Sequence, residues 1–231
     1  MITPFELEKI TRKMIKNLYK GNSKVLLNKT HKQLAEYGNQ LVSVGKLDQS
    51  VILEVGAGNG ELFVHVNQDF KKYYMTDIST WGKNEIELIT KVDDRVVFEV
   101  QNVEKLSYPN DYFDRVIITC VVAHLTEPFI ALEELRRVVK PEGLISIFVS
   151  TDPGIFLRII RKIITNRKMK NLEIPYKLYN AIEHRNTPSS IMEMVNWVFK
   201  NDIIKAKFYP FKLKFWNFST HIIINIVKTC S

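Results

Sequence analysis

Cysteine is nearly missing from this chain of 231 residues, which holds only Cys120, inside an apolar run, and Cys230 at the C-terminal end. That scarcity excludes a disulfide framework and points to a reducing, cytoplasmic setting. Long apolar runs are missing too. None approaches the ~20 residues needed to cross a bilayer, so no membrane span is expected. The first residues lack a signal-peptide pattern, because Glu6 and Glu8 interrupt the apolar segment. Histidine is sparse, with five in all. No two stand at helical spacing and no acids cluster at ligand spacing, so no metal site is expected. What remains, 45% hydrophobic and 25% charged residues, is ordinary globular composition with length enough for one substantial core.

Acidic side chains are also outnumbered, and unevenly. The net charge is +8, yet residues 1–50 carry 9 basic and 4 acidic side chains, residues 51–150 carry 10 and 16, and residues 151–231 carry 14 and 5. An acidic middle is bracketed by two basic ends. These ends can be solvated lysine faces or a basic mouth for an anionic small-molecule substrate.

The pattern along the chain divides it into an N-terminal helical cap, residues 1–50, and a main domain, residues 51–231. In the cap, Thr3–Tyr19 reads as an amphipathic helix, stopped by Gly21-Asn22-Ser23, and a second helix is predicted from about Thr30 to Val44. From Val51 onward apolar strand-like runs alternate with helical stretches. Strands are predicted at Val51–Val55, Tyr73–Asp77, Arg95–Val100, Phe113–Cys120 and Leu144–Ser150, with Pro141-Glu142-Gly143 as the turn into the last. Helices are predicted at Glu61–Asp69, Lys83–Val92 and Glu127–Val139. Two closing runs, Ile203–Leu213 and Ser219–Val227, predict a terminal antiparallel hairpin. The expected fold class is therefore α/β: a doubly wound, mostly parallel seven-stranded sheet with that hairpin at its end. Residues 151–187 match no sheet element and read as a basic insertion over the C-terminal edge of the sheet, where ligands bind in such folds.

The most informative stretch is Val51-Ile52-Leu53-Glu54-Val55-Gly56-Ala57-Gly58-Asn59-Gly60. A buried strand ends in an acid and then in glycines at every second position, which turn the chain tightly and bring bare backbone against a ligand. Asp77 ends the next strand, where a carboxylate can accept hydrogen bonds from a ribose. The spacing is G-x-G-x-G, not the G-x-G-x-x-G that seats a pyrophosphate. An acid beside the loop suits a cationic amino-acid moiety, and so S-adenosylmethionine over NAD.

Further landmarks follow in order: Gln101-Asn102-Val103-Glu104-Lys105-Leu106, Phe113-Asp114-Arg115-Val116-Ile117, and Glu133-Glu134-Leu135-Arg136-Arg137-Val138-Val139-Lys140-Pro141-Glu142-Gly143. With the glycine loop and Asp77 they make the chain resemble the class I S-adenosylmethionine-dependent methyltransferases, particularly those acting on small molecules. The resemblance covers roughly residues 50–150. It implies that Glu54, Gly56, Ala57 and Gly58 surround the methionine end of the cofactor and that Asp77 holds the ribose. It further implies that Ile78, Asn102 and Val103 meet the adenine and that Cys120 closes the site. Asn102 stands where the family usually has Asp; an amide keeps an acceptor and adds donors. The tail from Glu183 to Trp216-Asn217 loosely resembles methyltransferases of bacterial surface polysaccharides. That would make the acceptor a nucleotide-linked sugar or a phosphoramidate precursor of capsule.

Methyl transfer to a hydroxyl needs an aligned acceptor and a destination for its proton. His124, just past the fourth strand, is the first candidate base, and His184 in Glu183-His184-Arg185-Asn186 the second. Arg158 and Arg161, three apart after the Pro153-Gly154 turn, could clamp an anionic group, with Arg185 and Asp152 as further substrate contacts. Each has a plainer reading, as a strand-end packing residue, a surface polar run or a basic amphipathic helix. Two alternatives stay open: an RNA-modifying methyltransferase, favoured by the positive charge, and a non-catalytic cofactor-binding protein.

Overall fold

The structure is a computed structural model and describes residues 23–40, 49–66, 68–152, 154–156, 159, 183–211 and 213–230. The predicted helix Thr3–Tyr19 lies outside them. Helix α1 spans Ser23–Asn39, β1 Val51–Val55, β2 Lys72–Asp77, α2 Lys83–Thr90, β3 Val96–Val100 and β4 Phe113–Thr119. Then come α3 Pro128–Val138, β5 Val139–Ser150, α4 Pro188–Val198, β6 Ile203–Tyr209 and β7 His221–Val227.

The seven strands form one sheet in the order β3-β2-β1-β4-β5-β7-β6. The first five run parallel, and β7 lies antiparallel between β5 and β6. The predicted fold class is the one observed. Strand alternation sorts the apolar residues onto two faces. Leu53, Val55, Val116, Ile118, Ile145 and Ile147 pack against Leu132 and Leu135 of α3 and Ile191 and Val195 of α4. On the opposite face Ile52, Tyr73, Met75, Ile117 and Phe148 pack against Leu34 and Tyr37 of α1 and Ile86 of α2. Both faces are covered, as a parallel sheet requires.

Four expectations need correction. The stretch predicted as helix Glu61–Asp69 holds turns and a short 3-10 helix, Phe63–His65. Apart from Leu62, its apolar residues Phe63, Val64 and Val66 are aromatic or β-branched and disfavour a helix this short. In the second N-terminal helix Ser23, part of the sequence read as a helix stop, is already helical, and the helix ends at Asn39 instead of Val44. Pro141-Glu142-Gly143 is not a turn before β5 but a bulge within it. Phe113 pairs with Val139 and Arg115 with Leu144, so the extra residues loop out, with Glu142 at φ 63°. Helix α4 was not predicted at all; Thr187 caps it, accepting from the Ser190 N–H, with Pro188 in the first turn.

The α1 face carries a polar exception. Arg115 on β4 is 1% exposed. Its Nη1 donates to Asn39 Oδ1 at 2.6 Å and Gln68 Oε1 at 2.7 Å, tying the end of α1 to the sheet. Burial lowers its pKa to about 10. A Cβ at Gly38 would stand 2.0 Å from Arg115 Nη2 and 3.1 Å from Ser146 Oγ. The guanidinium cannot swing away without losing those partners. Gly to Ala within a helix ordinarily gains about 1 kcal/mol. Here overpacking reverses the sign: Gly38→Ala is expected to lower stability by about 1–2 kcal/mol, read as a drop of several degrees in thermal unfolding.

Candidate active site

The C-terminal ends of β1 and β2 are locked together. The N–H groups of Gly56 and Ala57 both donate to the Thr76 carbonyl, at 2.8 and 2.9 Å. The Gly58 N–H donates to Asp77 Oδ2 at 3.1 Å. Asp77 Oδ1 accepts from the Ser79 N–H and hydroxyl at 3.0 and 3.2 Å. Gly56, Gly58 and Gly60 all sit at positive φ, +72°, +57° and +78°. Gly56 has no room for a side chain in any case: a Cβ there would meet Val121 Cγ2 at 2.1 Å.

Around this loop the predicted residues occupy distinct positions. Asp77 is partly exposed, and Ile78 beside it is 72% exposed. Val100, opposite Asp77 in the β2–β3 register, is 54% exposed. The Ala57 and Val103 side chains are buried in the core, so only their backbones remain for a ligand. The Asn102 side chain accepts from the Glu104 N–H at 2.9 Å and shapes its own turn. Cys120 is partly buried, at φ 59°, where β4 ends. Two residues at the loop were not singled out from sequence. One is Val100; the other is Trp81, 45% exposed, whose Cζ2 lies 3.1 Å from where a Gly58 Cβ would be.

Glu54 points inward. It is 2% exposed and accepts the Tyr73 hydroxyl at 2.7 Å. Burial pushes its carboxyl up to about 7; the Tyr73 hydrogen bond opposes the rise and the nearby Asp77 charge adds to it. Tyr73 is itself raised well above its ordinary range, by burial and then by Glu54.

The second half of the site forms where β4 and β5 end. A 3-10 turn, Val122–His124, follows β4. Residues 183–187 are stitched across it. The Asn186 N–H donates to the Ala123 carbonyl at 3.0 Å, and Asn186 Nδ2 to the carbonyls of Val122 and Leu125 at 3.0 and 2.8 Å. Arg185 Nη1 donates to Thr126 Oγ1 at 2.7 Å. The result sets His184 beside His124, ring centres 4.8 Å apart. His124 Nδ1 lies 2.9 Å from the Glu183 carbonyl, which can only accept. Nδ1 therefore carries the proton and the lone pair falls on Nε2. Glu183 Oε2 is 3.6 Å from His124 Nδ1, and Asp152 Oδ2 is 3.8 Å from His184 Nδ1. Asp152 is 6% exposed and His124 retains 35% of its side-chain exposure. Thus His124, His184 and Asp152 come together. Arg185 is engaged by Thr126, and Arg158 and Arg161 lie outside the described residues. Sequence reasoning passed over Asn186, which looked like one member of a polar run.

The residues present fit a nucleoside ligand. An exposed-side carboxylate closes β2, apolar side chains flank it, and a left-handed glycine turn without room for Cβ atoms closes β1.

Comparison with known proteins agrees with this geometry. Residues 53–147 match the model of a methyltransferase domain. The chain is 33% identical over 113 residues to a PKS-NRPS hybrid synthetase of Chaetomium globosum, covering 45% of this chain and 2% of that protein. It is 28% identical over 109 residues to the ubiquinone/menaquinone biosynthesis C-methyltransferase UbiE of Coxiella burnetii, covering 44% of this chain and 43% of that one. The matches thus span less than half of these relatives. Among solved structures, a chain of the complex between the Haloferax volcanii Trm112 methyltransferase activator and a methyltransferase superposes with a TM-score of 0.63 at 13% identity, over 91% of this chain and 96% of that chain. The N-methyltransferase NodS of Bradyrhizobium japonicum, solved with S-adenosylhomocysteine, superposes with 0.61 at 12% identity, over 87% and 86%. The fold is the one these methyltransferase structures share, and residues 53–147 are the part of the chain that resembles a methyltransferase domain.

The buried Glu54 sets a pH dependence. Between its ordinary pKa of 4.5 and about 7, the folded chain holds a proton that the unfolded chain has lost, so stability falls as pH rises through that window. Above it the full penalty remains. Glu54→Gln keeps an acceptor for Tyr73 and removes the charge. We expect its unfolding free energy, from denaturant titration, to exceed that of the wild-type chain at pH 8 by up to about 3 kcal/mol, and the gap to close by pH 4.

Proposed function

We propose that the chain is an S-adenosylmethionine-dependent methyltransferase that methylates a hydroxyl oxygen of an anionic small molecule. The observation that carries the reading is the pair of imidazoles, His124 and His184, beside the buried Asp152. They lie on the sheet edge that also holds Asp77 and the glycine turn. S-adenosylmethionine supplies an electrophilic methyl group on a sulfonium. Asp77, already oriented by Gly58 and Ser79, accepts from the ribose hydroxyls, while Ile78, Val100 and Trp81 offer apolar surface to the base. His124 presents Nε2 as acceptor because its Nδ1 proton is taken up by the Glu183 carbonyl. As the acceptor oxygen gains its methyl group, its O–H proton passes to that Nε2. His184 and Asp152 complete the wall around the acceptor and orient it.

Negative charge on the acceptor is supported by the 14 basic and 5 acidic side chains of residues 151–231. A nucleotide-linked sugar or phosphoramidate precursor of a surface polysaccharide has that charge. The curated relatives include a C-methyltransferase, and a carbon acid would use the same base.

Calorimetric titration with S-adenosylhomocysteine tests the cofactor site. Asp77→Ala is expected to weaken binding at least tenfold, and absence of binding by the wild-type chain would remove the proposal. Incubating the protein with isotopically labelled S-adenosylmethionine and cell extract, then searching by mass spectrometry for a labelled methyl, identifies the acceptor. Against that acceptor, His124→Ala is expected to slow transfer by about 10²-fold or more with cofactor affinity unchanged. Unaltered transfer by both His124→Ala and His184→Ala would discard the assigned base.

A further inference from the structure

A buried cation ordinarily has an acid beside it. Lys228, 8% exposed, has Asp111 at 2.6 Å. Arg115, buried deeper, has no such acid among the described residues. Its hydrogen bonds end on neutral oxygens, those of Asn39, Gln68 and the Ala35 carbonyl. Glu54, the buried acid of β1, is held by Tyr73 instead. The bonds of Arg115 are also lopsided. Nη1 makes both short ones, Nη2 reaches only the Ala35 carbonyl, at 3.5 Å, and Nε has no partner among the described residues. Nε and Nη2 form the side-on edge of the guanidinium, whose two parallel N–H groups match the two oxygens of a carboxylate.

Further donors gather on the same side. The point 2.0 Å from Nη2 where a Gly38 Cβ would stand is 3.1 Å from Ser146 Oγ. Ser146 on β5 is paired with Asn225 on β7 in the antiparallel register, and both are 0% exposed. Ser146 Oγ, both amide atoms of Asn225 and Gln68 Nε2 have no hydrogen-bond partner among the described residues. Donors thus outnumber acceptors around an uncompensated positive charge. Water would take up the hydrogen bonds and leave the charge; a negatively charged acceptor answers both. We propose that Arg115 and Ser146 form a binding site for a small planar monovalent anion, of the formate or bicarbonate class, held side-on by Nε and Nη2. Burial sets the size limit: with these groups enclosed between α1 and the sheet, a nucleotide or phosphate ester does not fit. Such an ion joins the seam when α1 closes over the sheet, so the docking of that helix becomes anion-dependent. The proposal does not depend on methyl transfer.

The test is equilibrium dialysis of the full chain against radiolabelled formate, joined to thermal unfolding in sodium formate up to about 20 mM. Sodium gluconate makes up the ionic strength, which keeps screening constant and offers a carboxylate too large for an enclosed site. About one formate per chain is expected to be retained, with an unfolding temperature that rises with formate and not with gluconate. Arg115→Met removes the charge and is expected to lose both responses. Ser146→Ala keeps the guanidinium and its other partners, and should weaken formate binding at least fivefold; it decides the matter if Arg115→Met does not fold. No retained formate overturns the proposal, as does an equal rise with gluconate, which would be a general salt effect. Unchanged binding by folded Arg115→Met or by Ser146→Ala overturns it too. Retention of radiolabelled chloride without formate overturns it in favour of a halide site. Titration with S-adenosylhomocysteine reports the cofactor site separately, and its failure would strike the methyltransferase proposal and leave this one standing.

Discussion

Three consecutive backbone N–H groups, those of Gly56, Ala57 and Gly58, are spent on the end of β2: two on the Thr76 carbonyl and one on the Asp77 carboxylate. The chain leaving β1 must then curl through left-handed backbone, which glycine adopts without steric cost. The same bonds orient Asp77, and its other oxygen draws in Ser79 at the start of the next loop. The corner proposed to hold the nucleoside is thus built by backbone donors of the chain itself. It costs the protein little beyond the glycines, because every donor involved finds a partner.

The other half of the edge depends on a longer connection. Residues 183–187 come from far along the chain and satisfy carbonyls of the turn after β4 through Asn186. That turn holds His124, and the strap holds His184, so the carboxamide of Asn186 fixes the distance between two imidazoles without touching either. Such a device stays precise only if both supports are rigid. The turn is fastened by the core beneath Val122, which is 1% exposed, and the strap by Pro188 at the start of α4.

What sequence could reveal follows from how local each cause is. The glycine spacing, Glu54 and Asp77 lie within one β-α-β unit, and the strand alternation around them is periodic, so the sheet was legible almost strand by strand. The helix expected at Glu61–Asp69 failed because its apolar spacing reflected residues filling a loop against α1. α4 carries a helix-start signal in Thr187 followed by Pro188, yet it stands beside a long basic stretch that masks it. The bulge at Pro141-Glu142-Gly143 was read as a turn because both use the same residues; only pairing across to Phe113 and Arg115 distinguishes them. The fate of Glu54 was equally hidden. Its position in the motif was plain, but the Tyr73 hydroxyl that captures it comes from the neighbouring strand, on the same face of the sheet.

Charge shows the same limit from the other side. The acidic middle and basic ends were visible in composition, but their meaning depended on what shared the surface with them. Among the described residues, acids of the middle segment are largely taken up internally: Glu54 by Tyr73, Asp114 by Lys140, Glu134 by Arg137 and Asp111 by Lys228. The lysines of the last segment have fewer such bonds, and Lys214 stands exposed among Leu213, Phe215 and Phe218. In the function proposed above, the excess of cations over acids in this segment draws an anionic acceptor toward the edge that holds His124 and His184.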